Sequence, residues 1–136
     1  MPDTIFEILK KELPGIKKDV LLKDHTTFRL GGPADYFFIA KTKEDVLRAI
    51  KTAKKLKLSL FIFGGGSNLL VSDSGIRGLV VRMQSNEKTF FMGRENTISA
   101  YAGISLGSLV DFSVQKGLAG LEWAGGLPGT VLATFD

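Results

Sequence analysis

Phe61-Ile62-Phe63-Gly64-Gly65-Gly66-Ser67-Asn68-Leu69-Leu70-Val71 is an apolar run, three glycines with two small polar residues, and a second apolar run. Leu60 to Phe63 is short, continuously apolar and ends at glycine, which predicts a buried strand. Three consecutive glycines are costly to order, because each loses more backbone freedom on folding than any other residue. Such a cluster makes sense where the chain turns sharply and comes close to something bulky. Without Cβ atoms the backbone N–H groups can line an anion-binding hollow, and Ser67 and Asn68 add side-chain donors. On the glycines alone, a phosphate loop and a tight turn between two buried strands are equal readings.

Two named phosphate motifs can be tested here. No lysine follows the glycines, so the P-loop pattern fails, and the dinucleotide fingerprint Gly-x-Gly-x-x-Gly begun at Gly64 ends on Leu69. Leu69 to Val71 reads as a short strand running into a turn at Ser72 to Gly75. A nucleotide held here would therefore lie in a strand–loop–strand cradle and not on a helix N-terminus.

Outward from this stretch, Thr42 opens a helix reaching about Lys57, with Asp45 as a capping-box partner. Val46, Leu47, Ile50, Ala53 and Leu56 form its apolar stripe. Gly31-Gly32-Pro33 breaks the chain before Tyr36 to Ala40, a strand by its composition. Tyr36–Ala40, the helix and Leu60–Phe63 make a strand–helix–strand unit, whose crossover predicts parallel strands. The glycine loop then follows a strand's carboxyl end, where open α/β sheets bind ligands. His25 and Arg29 could sit near such a ligand, although His25 also reads as a hydrogen-bonded turn residue.

Upstream, Asp3 caps a helix with Ile5, Phe6, Ile8, Leu9 and Leu13 at helical spacing, ended by Pro14-Gly15 and expected on the outside of the domain. Downstream, Leu79 to Met83 is a strand. Thr89–Met92 and Thr97–Ala102 form a strand pair, the second alternating as a half-buried strand does. Ser105 caps a helix bearing Leu106, Leu109, Val110, Ser113 and Val114, and Gly117 ends it. A second glycine zone runs from Gly117 to Thr130. Ala124-Gly125-Gly126-Leu127-Pro128-Gly129-Thr130 suits close backbone approach to a flat or anionic ligand, with a generic loop as the equal alternative.

The 136 residues suit one domain or two small subdomains, and 44% hydrophobic residues supply a core. A chain of this size buries roughly 68% of its unfolded surface. There are no cysteines, so disulfides and thiolate metal sites are excluded and a reducing compartment fits. The single histidine cannot by itself build a metal centre. No signal-type segment or membrane-spanning run is present, which predicts a soluble, cytoplasmic protein. The net charge is +4. Its paired lysines read as solvated helix faces, with general attraction of an anionic ligand as the alternative. Nucleic acid is disfavoured, because aromatic residues are not interleaved with the basic ones.

Three motifs occur in order: Thr26-Thr27-Phe28-Arg29-Leu30-Gly31-Gly32-Pro33-Ala34, Gly64-Gly65-Gly66-Ser67-Asn68-Leu69-Leu70, and Gly120-Leu121-Glu122-Trp123-Ala124-Gly125-Gly126-Leu127-Pro128-Gly129-Thr130-Val131. Together they closely resemble the N-terminal part of the UDP-N-acetylenolpyruvoylglucosamine reductases, also called UDP-N-acetylmuramate dehydrogenases, over about residues 20 to 131. The resemblance implies an α+β FAD-binding fold of the vanillyl-alcohol oxidase and p-cresol methylhydroxylase type. It has two small α/β subdomains with FAD between them. Residues 1–20 would be a helix and lead-in, 21–84 the first subdomain, and 85–136 a second, incomplete one.

The resemblance also implies that Gly64, Gly65, Gly66, Ser67, Asn68 and Leu69 wrap the cofactor's pyrophosphate. Gly125, Gly126, Pro128, Gly129 and Thr130 would lie along the flavin. In such enzymes NADPH reduces FAD, which passes hydride to the enolpyruvyl group of a UDP-sugar in peptidoglycan precursor synthesis. The serine, arginine and glutamate that assist have no counterpart here, and neither has the substrate domain. A truncated, inactive and monomeric chain without catalytic residues is therefore expected. A different flavin oxidase or dehydrogenase of the same fold, and a non-catalytic nucleotide-binding module, are the alternatives.

Overall fold

The structure is a computed structural model that describes residues 3–65, 70–84, 90–127 and 131. Its elements in chain order are α1 (Thr4–Glu12), β1 (Lys17–Leu21), a 3-10 turn (Leu22–His25), β2 (Pro33–Ala40), α2 (Lys43–Lys55), β3 (Leu60–Phe63) and β4 (Ile76–Met83). A hairpin of β5 (Phe90–Met92) and β6 (Ile98–Ala100), α3 (Leu106–Gln115) and a second 3-10 turn (Glu122–Ala124) follow. This mixed content agrees with the α+β expectation.

The main sheet has four strands in the order β1-β2-β4-β3. β2 and β3 are parallel, as the crossover predicts, but they do not touch: β4 inserts between them and is parallel to both. β1 joins β2 antiparallel at the edge. Its sequence, Lys-Lys-Asp-Val-Leu, is mostly exposed and lacks the apolar alternation that marks a strand. The second, two-stranded sheet pairs β5 with β6 antiparallel, and Ile98 and Ala100 are half-buried around exposed Ser99.

Both faces of the main sheet are covered. On one, Leu9 and Leu13 at the end of α1 and Ala49 and Ala53 of α2 pack on Tyr36, Phe38, Leu79 and Val81. α1 is thus an integral layer, with Leu9 and Leu13 wholly removed from water. Asp3 caps it by accepting from the Phe6 amide at 3.1 Å. On the other face Leu22, Ala34, Phe37, Phe63, Val71 and Val80 form a second cluster. Ala34 and Tyr36 serve opposite faces despite even spacing, because the β2–β4 register shifts between them. The Asp35 carboxylate fills that irregularity, accepting from the Gly78 amide at 3.0 Å and pairing with Arg77 at 2.9 Å.

Three expectations are corrected. The α2 stripe turns so that Ala49, Thr52 and Ala53 are buried, while Leu47 and Ile50 are 45% and 39% exposed. Leu47 instead lines a cleft of about 750 Å³ between α2 and the β5–β6 hairpin. Val114 is exposed on α3, whose buried residues are Leu106, Leu109, Val110 and Ser113. Finally, Leu70 and Val71 belong to no strand, and the chain after the glycine loop reaches β4 without an intervening ladder. Val71 is buried by its side chain alone, which explains why an apolar run there mimics a strand. The capping box of α2 is as expected, with the Asp45 amide donating to Thr42 Oγ1 at 3.1 Å.

Candidate cofactor site

β2, β4 and β3 all point their carboxyl ends the same way. Ile39, Arg82 and Phe63 are neighbours across the three strands in the last row of one face. Gly64 follows Phe63 and is buried, and Gly65 is half-buried. Gly66, Ser67, Asn68 and Leu69 lie outside the described residues, as do Pro128, Gly129 and Thr130 of the second zone.

The segment after the loop is held by the first of the three motifs. The Gly32 amide donates to the Ser72 carbonyl at 2.9 Å, and the Gly75 amide donates to the same oxygen at 3.0 Å. A Cβ on Gly32 would lie 2.0 Å from the Asp73 oxygen, and one on Gly75 would lie 1.9 Å from the Pro33 oxygen. The two backbones touch where only glycine fits. Leu22 and Lys23 amides donate to the Gly32 and Gly31 carbonyls, so the 3-10 turn backs this contact. Thr26 Oγ1 donates to the Leu30 carbonyl at 3.1 Å and closes the turn that carries Arg29 at φ 53°. Gly31-Gly32-Pro33 thus packs against Ser72 to Gly75, the segment that follows the loop. Two glycines before a proline signal a turn; that they clamp a segment forty residues later is a tertiary fact.

The segment that leads into the second zone meets the same end of the sheet. Tyr101 Oη donates to the Ala40 carbonyl at 2.7 Å, where β2 ends. A Cβ on Gly103 would fall 2.8 Å from both the Met83 carbonyl carbon and the Gln84 nitrogen, where β4 ends. The Val131 amide donates to the Ile104 carbonyl at 3.0 Å, close in sequence to Gly103. Gly125 and Gly126 are exposed, and Gly126 has φ 86° with open space where a Cβ would stand. The turn before them is fixed from inside by Ala124, buried against Leu106, Leu109 and Val110.

Sequence reading passed over Arg82. Its Nη1 lies 2.9 Å from His25 Nδ1, and its buried Nε has no hydrogen-bond partner among the described residues. The His25 ring rests on Phe37 with centroids 4.4 Å apart. Burial, then the Arg82 charge, lowers the His25 pKa below its usual value, although Asp24 works the other way. Burial also lowers that of Arg82. His25 is therefore neutral at pH 7 and accepts through Nδ1. It is a turn residue that is also the seat of the sheet's only inward-leaning cation among the described residues.

Gly64 and Gly65 follow the carboxyl end of β3 in a run of three parallel strands, and the segment leading into the second glycine zone meets the same end of the sheet, a layout in which open α/β sheets hold ligands. Residues 34–135 match the FAD binding domain family, and the chain belongs to that family. Among its relatives are proteins named UDP-N-acetylenolpyruvoylglucosamine reductase. That of Moorella thermoacetica is 44% identical over 86% of this chain and 39% of its own. That of Alkaliphilus oremlandii is 39% identical over 93% of this chain and 42% of its own. The crystal structure of the Thermus caldophilus reductase superposes with a TM-score of 0.64 at 36% identity, covering 82% of this chain and 38% of that one. The chain thus spans about two fifths of the length of these relatives. The resemblance read from the three motifs is borne out.

Among the described residues no helix is long and apolar enough to cross a membrane, and no group of three or more acidic or histidine side chains could hold a metal ion.

Proposed function

We propose that this chain is the FAD-binding part of a UDP-N-acetylenolpyruvoylglucosamine reductase. The observation that carries the reading is the buried Gly64 with Gly65 at the carboxyl end of β3, braced from behind by the Gly32–Ser72 contact. Amides of Gly64, Gly65 and Gly66, with Ser67, Asn68 and Leu69, would hold the diphosphate bridge. Gly125, Gly126, Pro128, Gly129 and Thr130 would run beside the flavin. FAD when bound supplies a ring that takes up hydride and passes it on; the protein's share is placement and electrostatics. For the whole protein the donor would be NADPH and the acceptor a UDP-linked enolpyruvyl sugar in peptidoglycan precursor synthesis. These 136 residues are expected to hold FAD weakly at best and without turnover.

The test is flavin retention by the purified chain, read from the flavin spectrum and from quenching of its fluorescence. Gly65→Val puts a branched side chain into the cradle and should abolish retention while the far-UV fold signal stays. FAD at a hundredfold excess over its dissociation constant should add about 2.7 kcal/mol of stability. Folded protein that binds no flavin, or Gly65→Val with unchanged affinity, would overturn the proposal.

A further inference from the structure

A second cavity, of about 440 Å³, opens at the carboxyl end of β2, and its wall includes Lys17, Asp24, His25, Phe37, Ile39 and Lys41. Lys17 and Lys41 are exposed, so their ammonium groups are free to swing over the opening. Behind the His25 ring stands Arg82, which takes part in none of the four ion pairs formed among the described residues.

A half-buried guanidinium whose neighbour is a neutral ring keeps its full charge, and such a charge is costly unless something anionic answers it. The one carboxylate on the wall, Asp24, shares it with two lysines. The Arg82 hydrogen bond also decides the state of the histidine. Because Nη1 donates to Nδ1, the ring proton sits on Nε2, and the second nitrogen is a donor. A neutral histidine in its donor form, two mobile ammonium groups and a guanidinium behind them are the usual components of a phosphate site.

We propose that this cavity is an anion subsite that takes a phosphate group, with His25, Lys17 and Lys41 as its contacts and Arg82 as the positioning residue that fixes the His25 tautomer and supplies charge. The phosphate is either part of the cofactor, reaching two strands across from Gly64, or belongs to a separate phosphate ester. The subsite does not depend on FAD being bound, so it can fail or hold independently of the reading above.

The chain's lone histidine gives a clean probe. Inorganic phosphate added to the flavin-free protein at constant ionic strength should shift the His25 Cε1 proton resonance saturably, while chloride should not. Arg82→Gln should weaken phosphate by about tenfold or more, the usual worth of a hydrogen bond to a charged group. Arg82→Lys should restore much of that loss, which a merely structural role would not predict. The double variant Lys17→Ala/Lys41→Ala alters only exposed side chains and should also lose affinity, so the test stands even if Arg82→Gln fails to fold. Repeating the titration with FAD bound separates the two sources: competition identifies the cofactor's own phosphate, and additive binding a separate ester, and either outcome supports the subsite. No saturable shift, or equal phosphate affinity in the wild-type chain and the lysine double variant, would overturn it.

Discussion

The amide of Gly32 and the carbonyl of Ser72 are joined by a 2.9 Å hydrogen bond, at a crossing so tight that a single methyl on Gly32 has no room. The obstacle is main chain and cannot rotate away, so Gly32→Ala should cost about 1–3 kcal/mol, as overpacking does. It should also loosen the segment behind the glycine loop and weaken FAD retention. Gly107 in α3 has open space around its Cβ position, and Gly107→Ala should instead stabilise by up to about 1 kcal/mol. Urea unfolding of both variants checks the pair.

Leu9 is wholly buried between α1 and the sheet, whereas Leu47 on α2 faces the open cleft. Leu9→Ala should therefore lose about 2–5 kcal/mol, the range for a core leucine. Leu47→Ala should stay within about 0.5 kcal/mol of the parent, as surface changes do. Equal losses would mean that α2 packs through the stripe its sequence advertises.

Both tyrosines are pushed up to about 12, Tyr36 by burial and then by its 2.9 Å hydrogen bond to Asp3, Tyr101 by burial and then by the Asp45 charge. A folded-state value raised above the unfolded one means that the folded chain holds the proton longer. The stabilisation is then complete below pH 10 and is lost between pH 10 and 12. The ultraviolet phenolate band should titrate near pH 12 in the folded protein and near pH 10 in denaturant. Tyr101→Phe, which frees the Ala40 carbonyl, should lose about 1 kcal/mol and flatten the alkaline slope.

For His25 the sign is opposite. Its folded value is lowered, chiefly by burial and next by Arg82, so the unfolded chain binds the proton more readily. The stabilisation is present above the unfolded value of about 6.5 and is lost as pH falls through the lowered one. Proton NMR should show the His25 midpoint below the usual value. Arg82→Gln should move it upward without bringing it fully back, since burial remains.

Much of the architecture was legible because its causes are local. The Thr42–Asp45 capping box, the Asp3 cap, the ends of α3 at Ser105 and Gly117, and the β5–β6 alternation depend on residues within one turn or one strand of each other. β1 was not legible, since Lys17 to Leu21 carries no apolar period and is a strand only because β2 offers an edge for its backbone. The α2 stripe misled because helical spacing tells which residues share a face, but not which of two apolar flanks meets the sheet. Of the candidate site, the glycines announced themselves by composition, while Arg82 read as an ordinary polar break in an apolar strand.

The sequence by itself carried the cofactor class through resemblance: the glycine run with Ser67 and Asn68 left a phosphate loop and a tight turn equal, and the three motifs in order pointed to an FAD-binding family. Only the tertiary structure decided that β4 lies between β2 and β3, that Gly32 meets Ser72, and that Arg82 leans on His25 from 57 residues away. Backbone ladders and close approaches are made by groups that every residue shares, so no side-chain pattern marks in advance which strand, or which loop, will be the partner.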